Sequence, residues 1–270
     1  MYREEEKRLL SKVLPNVAAQ LRGAMGNLYA AIQPAAPEME KNPVLARERE
    51  IMQQSYYRML RLVNNLSSTS MLLEEYVLPA RNVDIVEWLE DLCRQAQPLV
   101  EQVGIQLTFS CALSSHVVAV NQSMMERLMW NLLSNALKFT PAGGKITVSL
   151  RQSGGQLLLS VADTGCGISE ELLDTVFDRY LHTERQDPQP YGLGLGLPLC
   201  RQIAEGHGGR LVISSKEGKG TTVTVALPDR RNGSCEVRDV SFQYTGGFQP
   251  VMMELSDALP YTAFCPKNLD

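Results

Sequence analysis

NLLSNALKFT, residues 131–140, is the stretch on which the fold of this 270-residue chain turns. Asn131, Asn135 and Lys138 stand at i, i+4 and i+7, so a helix gathers them on one face, while Leu132, Leu133 and Leu137 turn toward a core. Two carboxamides and an ammonium suit a magnesium-bound triphosphate, with amide oxygens for the cation and the ammonium for phosphate oxygens. Taken alone, the same pattern describes any amphipathic helix with a polar exposed face.

Further along, the apolar run LLLSVA (157–162) ends in DTGCG (163–167). A carboxylate at a strand end, here Asp163, can accept a hydrogen bond from an adenine amino group, and Gly165 and Gly167 let the backbone approach a ring. A tight turn with an Asx motif uses the same residue types. GLGLGL (192–197) then runs into PLCRQIAEGHG, which reads as a helix. Gly192, Gly194 and Gly196 are spaced two apart, matching neither G-x-G-x-x-G nor a P-loop, yet amides of such a loop ahead of a helix N-terminus favour phosphate. Between the glycine motifs, the polar DRYLHTERQDPQP (178–190) reads as a mobile lid.

The surrounding texture is mixed. Helices are expected at about 86–103 and 123–139, and strands at 105–109, 117–120, 145–151, 156–162, 210–214 and 221–227, mostly separated by glycine turns. This is an α+β pattern, a largely antiparallel sheet with helices on one face. Beyond 229, a strand at 237–244 and a short helix at 250–258 are expected, with no recognisable chemistry.

The N-terminal part is different. Apolar residues recur at Leu10, Leu14, Val17, Leu21, Ala24 and Leu28, in steps of four and three, which is a helical seam of heptad type. Pro15 sits inside it and should kink the helix or mark the first turn of its main part. Pro34, Pro37 and Pro43 call for a turn, after which the seam resumes through Leu45, Met52, Met59, Leu62, Leu66, Leu73 and Tyr76. A helical hairpin buries little alone, so a homodimer that pairs two hairpins into a four-helix bundle is the physical expectation.

Composition narrows the functional class. With 44 % hydrophobic and 21 % charged residues the chain is globular, and a net charge of −4 argues against nucleic acid or an anionic membrane as partner. Cys93, Cys111, Cys166, Cys200, Cys235 and Cys265 contain no C-x-x-C pair and read as reduced thiols rather than a zinc site. No apolar run approaches the ~20 residues needed to span a bilayer, and MYREEEKRLL is too charged for a signal peptide. A cytoplasmic location is therefore expected, for the chain alone or as the cytoplasmic part of a longer membrane sensor.

Residues 81–228 resemble the catalytic, ATP-binding domain of sensor histidine kinases, within the superfamily that includes gyrase-type and Hsp90-type ATPases. NLLSNALKFT resembles the N box, DTGCG the G1 box, VFDRY (176–180) the F box, GLGLGL the G2 box, and GKGTTVTVALP (218–228) the final glycine-threonine strand. The resemblance implies ATP and magnesium as cofactors. It implies that Asn135 holds magnesium, that Asn131 and Lys138 contact phosphates, and that Asp163 reads adenine with Thr222 assisting. Gly192, Gly194 and Gly196 would hinge the lid. Three divisions follow: a hairpin at 1–78, an α/β sandwich of the histidine-kinase ATPase type at 79–228, and an extension of unknown role at 229–270.

The hairpin departs from the same family. NVAAQLRGAM (16–25) aligns without a gap with an H box of the form NVSHELRTPL, but Ala19 stands where the phosphorylated histidine belongs. Gln20 replaces the acidic general base, and Gly23-Ala24 replaces Thr-Pro. Loss of nucleophile and base removes the in-place phosphotransfer chemistry. His116, His182 and His207 all lie outside the hairpin; His182 is the substitute acceptor worth naming, and His207 in GHGG reads as a helix cap. Two functions stay open. The chain acts enzymatically, hydrolysing ATP or phosphorylating a partner's histidine, or it is a pseudokinase whose nucleotide state controls docking to a partner kinase or a response regulator. Serine kinases that act as anti-sigma factors share the ATP-binding fold, but the preceding hairpin counts against them.

Overall fold

A computed structural model describes residues 2–71, 79–173, 176, 196–233, 249–265 and 268, with the side chains of 2–12, 66 and 68–71 left aside. The chain divides into two compact units, one made of 1–76 with 245–270 and the other of 77–244.

The helical unit contains α1 (Tyr2–Ile32), α2 (Ala36–Glu40) and α3 (Pro43–Met71). α1 continues through Pro15, whose missing amide forfeits one ladder bond without ending the helix. The proline-rich connection is more helical than a simple turn: a 3-10 turn (Gln33–Ala35) and α2 fill it, with Pro34 and Pro37 at first-turn positions where no amide is needed. Ala18, Met25, Tyr56, Leu60 and Val63 are buried, and Tyr29 stacks on Tyr56 with ring centroids 4.6 Å apart. The expected seam lies elsewhere on the helices: Val17, Leu21, Leu28, Leu45, Met52 and Met59 are exposed in the single chain. The side chains of Leu10 and Leu66 are among those left aside, and Leu73 and Tyr76 lie outside the described residues.

The extension does not stand alone. α8 (Pro250–Leu255) and a 3-10 turn (Tyr261–Phe264) belong to the helical unit and pack on α3, burying Met252, Leu255, Leu259 and Phe264. The strand expected at 237–244 lies outside the described residues.

The second unit is the α+β domain. It begins with β1 (Arg81–Asp84), too short and too mixed to show a period, followed by α4 (Ile85–Gln102), β2 (Gln106–Cys111), β3 (Val117–Val120) and α5 (Gln122–Phe139). Then come β4 (Lys145–Ser153), β5 (Gln156–Asp163), α6 (Glu170–Leu173), α7 (Gly196–Gly206), β6 (Arg210–Lys216) and β7 (Gly220–Pro228). Five strands form one sheet in the order β2-β4-β5-β7-β6, parallel only between β2 and β4, and β1 pairs with β3 in a second, two-stranded sheet. Ile146, Val148, Leu150, Leu157, Leu159, Val161, Val225 and Leu227 are buried while Thr147, Ser149 and Ser160 between them are not, so one face meets α4, α5 and α7. Caps set the helix starts. Asp84 accepts from Val86 N and Glu87 N, and Asn121 Oδ1 accepts from Met124 N at 3.1 Å.

Candidate nucleotide site

α5 organises the site because the other motifs meet it. Leu132, Leu133 and Leu137 are buried, which turns Asn135 and Lys138 to a half-buried flank; Asn131 is itself only 2 % exposed. Its Nδ2 donates to Arg127 O at 2.8 Å, and its Oδ1 lies 3.2 Å from where a Cβ on Gly196 would stand. Asn135 Nδ2 is 3.9 Å from the same point. The start of α7 therefore lies against the amide pair. Gly192 and Gly194 lie outside the described residues, as do the lid stretch 178–190 with His182 and all of VFDRY except Val176.

The DTGCG loop is fastened to the C-terminal end of the same helix. Cys166 N donates to Phe139 O at 3.2 Å, and Thr164 N donates to Lys145 O at 3.1 Å while its Oγ1 accepts from Lys145 N at 2.9 Å. Chain packing, rather than room for a ring, requires the glycines here. A Cβ on Gly165 would come within 2.3 Å of Phe139 O, and one on Gly167, at φ +70°, within 2.1 Å of Lys216 O.

Asp163 ends β5 facing this loop. Its Oδ1 accepts from Gly165 N at 2.9 Å and Thr221 N at 3.2 Å, and Oδ2 accepts no bond among the described residues. Burial raises its carboxyl above the usual range, and the two backbone amides only partly offset that. The geometry leaves one carboxylate oxygen for a donor outside the fold.

Strand alternation places Thr221 and Thr222 of β7 on opposite faces. Thr222 is in register with Ala162 and Ser214, so its side chain stands on the face opposite Asp163, whereas Thr221 shares the face of Asp163. Reading the alternation backward from the buried Val225 would have selected Thr221 from the sequence. Ser215 was missed altogether: it accepts from Ile168 N at 2.8 Å, donates to Gly220 O at 3.0 Å and meets Thr221 Oγ1 at 2.8 Å. Gly220, at φ +96°, brings β7 so close that a Cβ would lie 2.0 Å from Asp163 O. Ser215, between Ser214 and Lys216, carries no local signal of these contacts.

The remaining histidines are structural. His207 donates from Nδ1 to Ile203 O at 2.7 Å and accepts at Nε2 from Asn121 N at 2.9 Å, which fixes a neutral ring between the end of α7 and the start of α5. Burial holds its pKa below the ordinary value. His116 Nε2 meets Asp229 Oδ1 at 2.8 Å. Among the described residues no cluster of His, Cys, Asp or Glu could hold a metal by itself, and Cys93, Cys111, Cys166, Cys200 and Cys265 are free thiols.

Residues 120–231 match the model of the histidine kinase-, DNA gyrase B- and HSP90-like ATPases. The chain is 35 % identical over 184 residues to histidine protein kinase DivJ of Caulobacter vibrioides, covering 68 % of this chain and 31 % of that one. It belongs to the histidine kinase family, with a GHKL-type ATPase domain. Among solved structures, this chain is similar to full-length ShkA in complex with AMPPNP, at TM-score 0.61 and 20 % identity over 80 % of this chain and 47 % of that one. It is also similar to histidine kinase ThkA in complex with the response regulator TrrA, at TM-score 0.58 and 21 % identity over 85 % of this chain and 66 % of that one. At that identity the likeness shows the fold alone. The chain spans 31–41 % of the length of the curated relatives DivJ, R01002 and WalK, and no helix among its described residues is long and apolar enough to cross a membrane.

Proposed function

We propose that the chain is a histidine-kinase-like signalling protein that binds ATP with magnesium between Asp163, α5 and Gly196, and does not phosphorylate itself at the usual hairpin position. The observation that carries the nucleotide reading is the one-sided hydrogen bonding of Asp163, with both backbone donors on Oδ1 and Oδ2 left to accept from an adenine amino group. The residues fit the rest of the nucleotide: Asn131 and Lys138 toward phosphate oxygens, and Asn135 toward a magnesium ion that takes its other ligands from phosphates and water. That ion supplies charge neutralisation on the phosphates when bound. Calorimetric titration with magnesium ATP tests the reading, and absence of binding would overturn it.

The hairpin supports the second half. Ala19 and Gln20 are exposed on α1, so the position has neither a nucleophile nor a base that could take a proton. The exposed seam of Val17, Leu21, Leu28, Leu45, Met52 and Met59 supports a homodimer, because a second hairpin presents the same heptad face. A response regulator or a partner histidine kinase is the expected receiver of the signal; ThkA, for comparison, was solved with its response regulator. The exposed Ala19 also favours a second reading, a non-catalytic module whose nucleotide state controls docking. Single-turnover assays with labelled ATP separate them. Labelled protein or released phosphate supports the enzyme, and binding with neither supports the module.

A further inference from the structure

We propose that the C-terminal segment 249–265 is an intramolecular ligand of the hairpin, an acidic amphipathic strap held on an arginine-bearing face of α3. Gln54, Arg58 and Arg61 recur at i, i+4 and i+7 on α3, with Tyr57 and Asn64 on the same flank. Each meets the strap. Gln54 Nε2 donates to Leu259 O at 2.6 Å, and Arg58 Nε donates to Ser256 O at 3.1 Å, just past the C-terminal end of α8 where carbonyls lack helical partners. Arg61 Nη1 donates to Asp257 Oδ2 at 2.8 Å, with Glu254 Oε2 3.8 Å from its Nε. Phe264 packs on Tyr57 at 5.4 Å between centroids, and the Arg47 guanidinium lies 5.6 Å from the centre of the Tyr261 ring.

The contact has the composition of a recognition surface rather than of an ordinary core extension. Apolar burial supplies attraction, but register is set by charged and carbonyl-reading groups. Arg61 and Glu254 have side chains only 5 % and 4 % exposed, so removing either one leaves the other as a buried charge without its counter-charge, which destabilises the contact. An apolar partner surface would leave Arg61 without carboxylates.

The test uses the full chain with a specific protease sequence placed within 236–243. After cutting, the C-terminal fragment should co-elute with the remainder on a sizing column. Glu254→Gln with Asp257→Asn, which alters only the strap, should weaken retention of the cut fragment by ~100-fold or more, as should Arg61→Ala, since each leaves buried charge without its partner. Preserved ATP binding in each variant shows that the ATPase domain is intact. Separation of the unmutated fragment on cutting, or retention unaffected by both variants, would overturn the strap as a ligand.

Discussion

Replacing Asp163 by asparagine separates the two jobs of that carboxylate. The Oδ1 position accepts from Gly165 N and Thr221 N, and an asparagine carbonyl oxygen can accept both bonds, so the DTGCG loop keeps its anchor. The change falls on the other side, where an acceptor becomes an amide donor facing the adenine amino group. A hydrogen bond to a charged group contributes ~1.5–3 kcal/mol, so ATP affinity should fall roughly 10- to 150-fold. Stability should move the other way. Burial raises the carboxyl above its ordinary range, so the folded state binds a proton more readily than the unfolded one, and the charged form at neutral pH is a net cost that the neutral amide removes. The variant should therefore melt no lower than the parent while binding ATP more weakly. Discrimination offers an independent reading: the new amide can donate to a base carrying a carbonyl in place of the amino group, so the ratio of GTP to ATP affinity should rise. Isothermal titration with both nucleotides and a thermal melt measure all three. Unaltered ATP affinity with an unaltered melt would refute the assignment of Oδ2 to the base.

The other expectations are shorter. Gly167→Ala should cost at least ~1–2 kcal/mol from its left-handed backbone alone, with the clash against Lys216 O in addition, and a denaturant midpoint equal to the parent's would contradict the packing described. His207 is held neutral with a pKa below its ordinary value, so the unfolded chain takes up the proton first; its contribution is present above about pH 6.5 and is lost as pH falls toward the folded pKa. Chemical denaturation at pH 7.5 and pH 5 should show a smaller acid loss in His207→Gln than in the parent, and an equal loss would remove the clip between α5 and α7. Leu21→Glu places a charge in the exposed seam and should give a monomeric mass by light scattering at micromolar concentration; a monomeric parent would dispose of the dimer. Ala19→His should label weakly from ATP, and Ala19→His with Gln20→Glu should exceed either single change, since base loss costs ~10²- to 10⁴-fold in rate; rapid labelling of Ala19→His alone would show that the base is dispensable.

Local chemistry was legible wherever a short-range signal existed. The period around Asn131 located α5 to within a residue, the apolar run VVAV located β3, and the runs between glycine turns located β4 to β7 with errors only at their ends. β1 was invisible: RNVD is four residues long and held by pairing with β3, a non-local cause. Which threonine shares a face with Asp163 turns on one residue, and in a strand one residue is the whole width of the sheet. The atoms that exclude a Cβ at Gly165 and Gly167 belong to Phe139 and Lys216, far away in sequence and so invisible locally. The strap was beyond reach for the same reason. Nothing in Pro250–Leu255 announces that Arg61, 196 positions before Asp257, will meet its carboxylate.

The two halves of the family pattern differ in what their retention or loss costs the fold. Ala19 and Gln20 are exposed on α1 beside the buried Ala18, so exchanging a histidine and an acid for them alters no packing and leaves good helix formers in place. The departure there is purely chemical. Asp163 is the reverse case, a carboxylate whose charged form is disfavoured by burial and whose second oxygen meets no donor among the described residues. A neutral residue would serve the loop equally well and the stability better, and the nucleotide of the proposed reading, as a donor to Oδ2, accounts for the carboxylate. On that proposal, a buried acid at the nucleotide end beside a hairpin with neither nucleophile nor base at Ala19 and Gln20 favours a protein that binds ATP and directs its effect to another molecule.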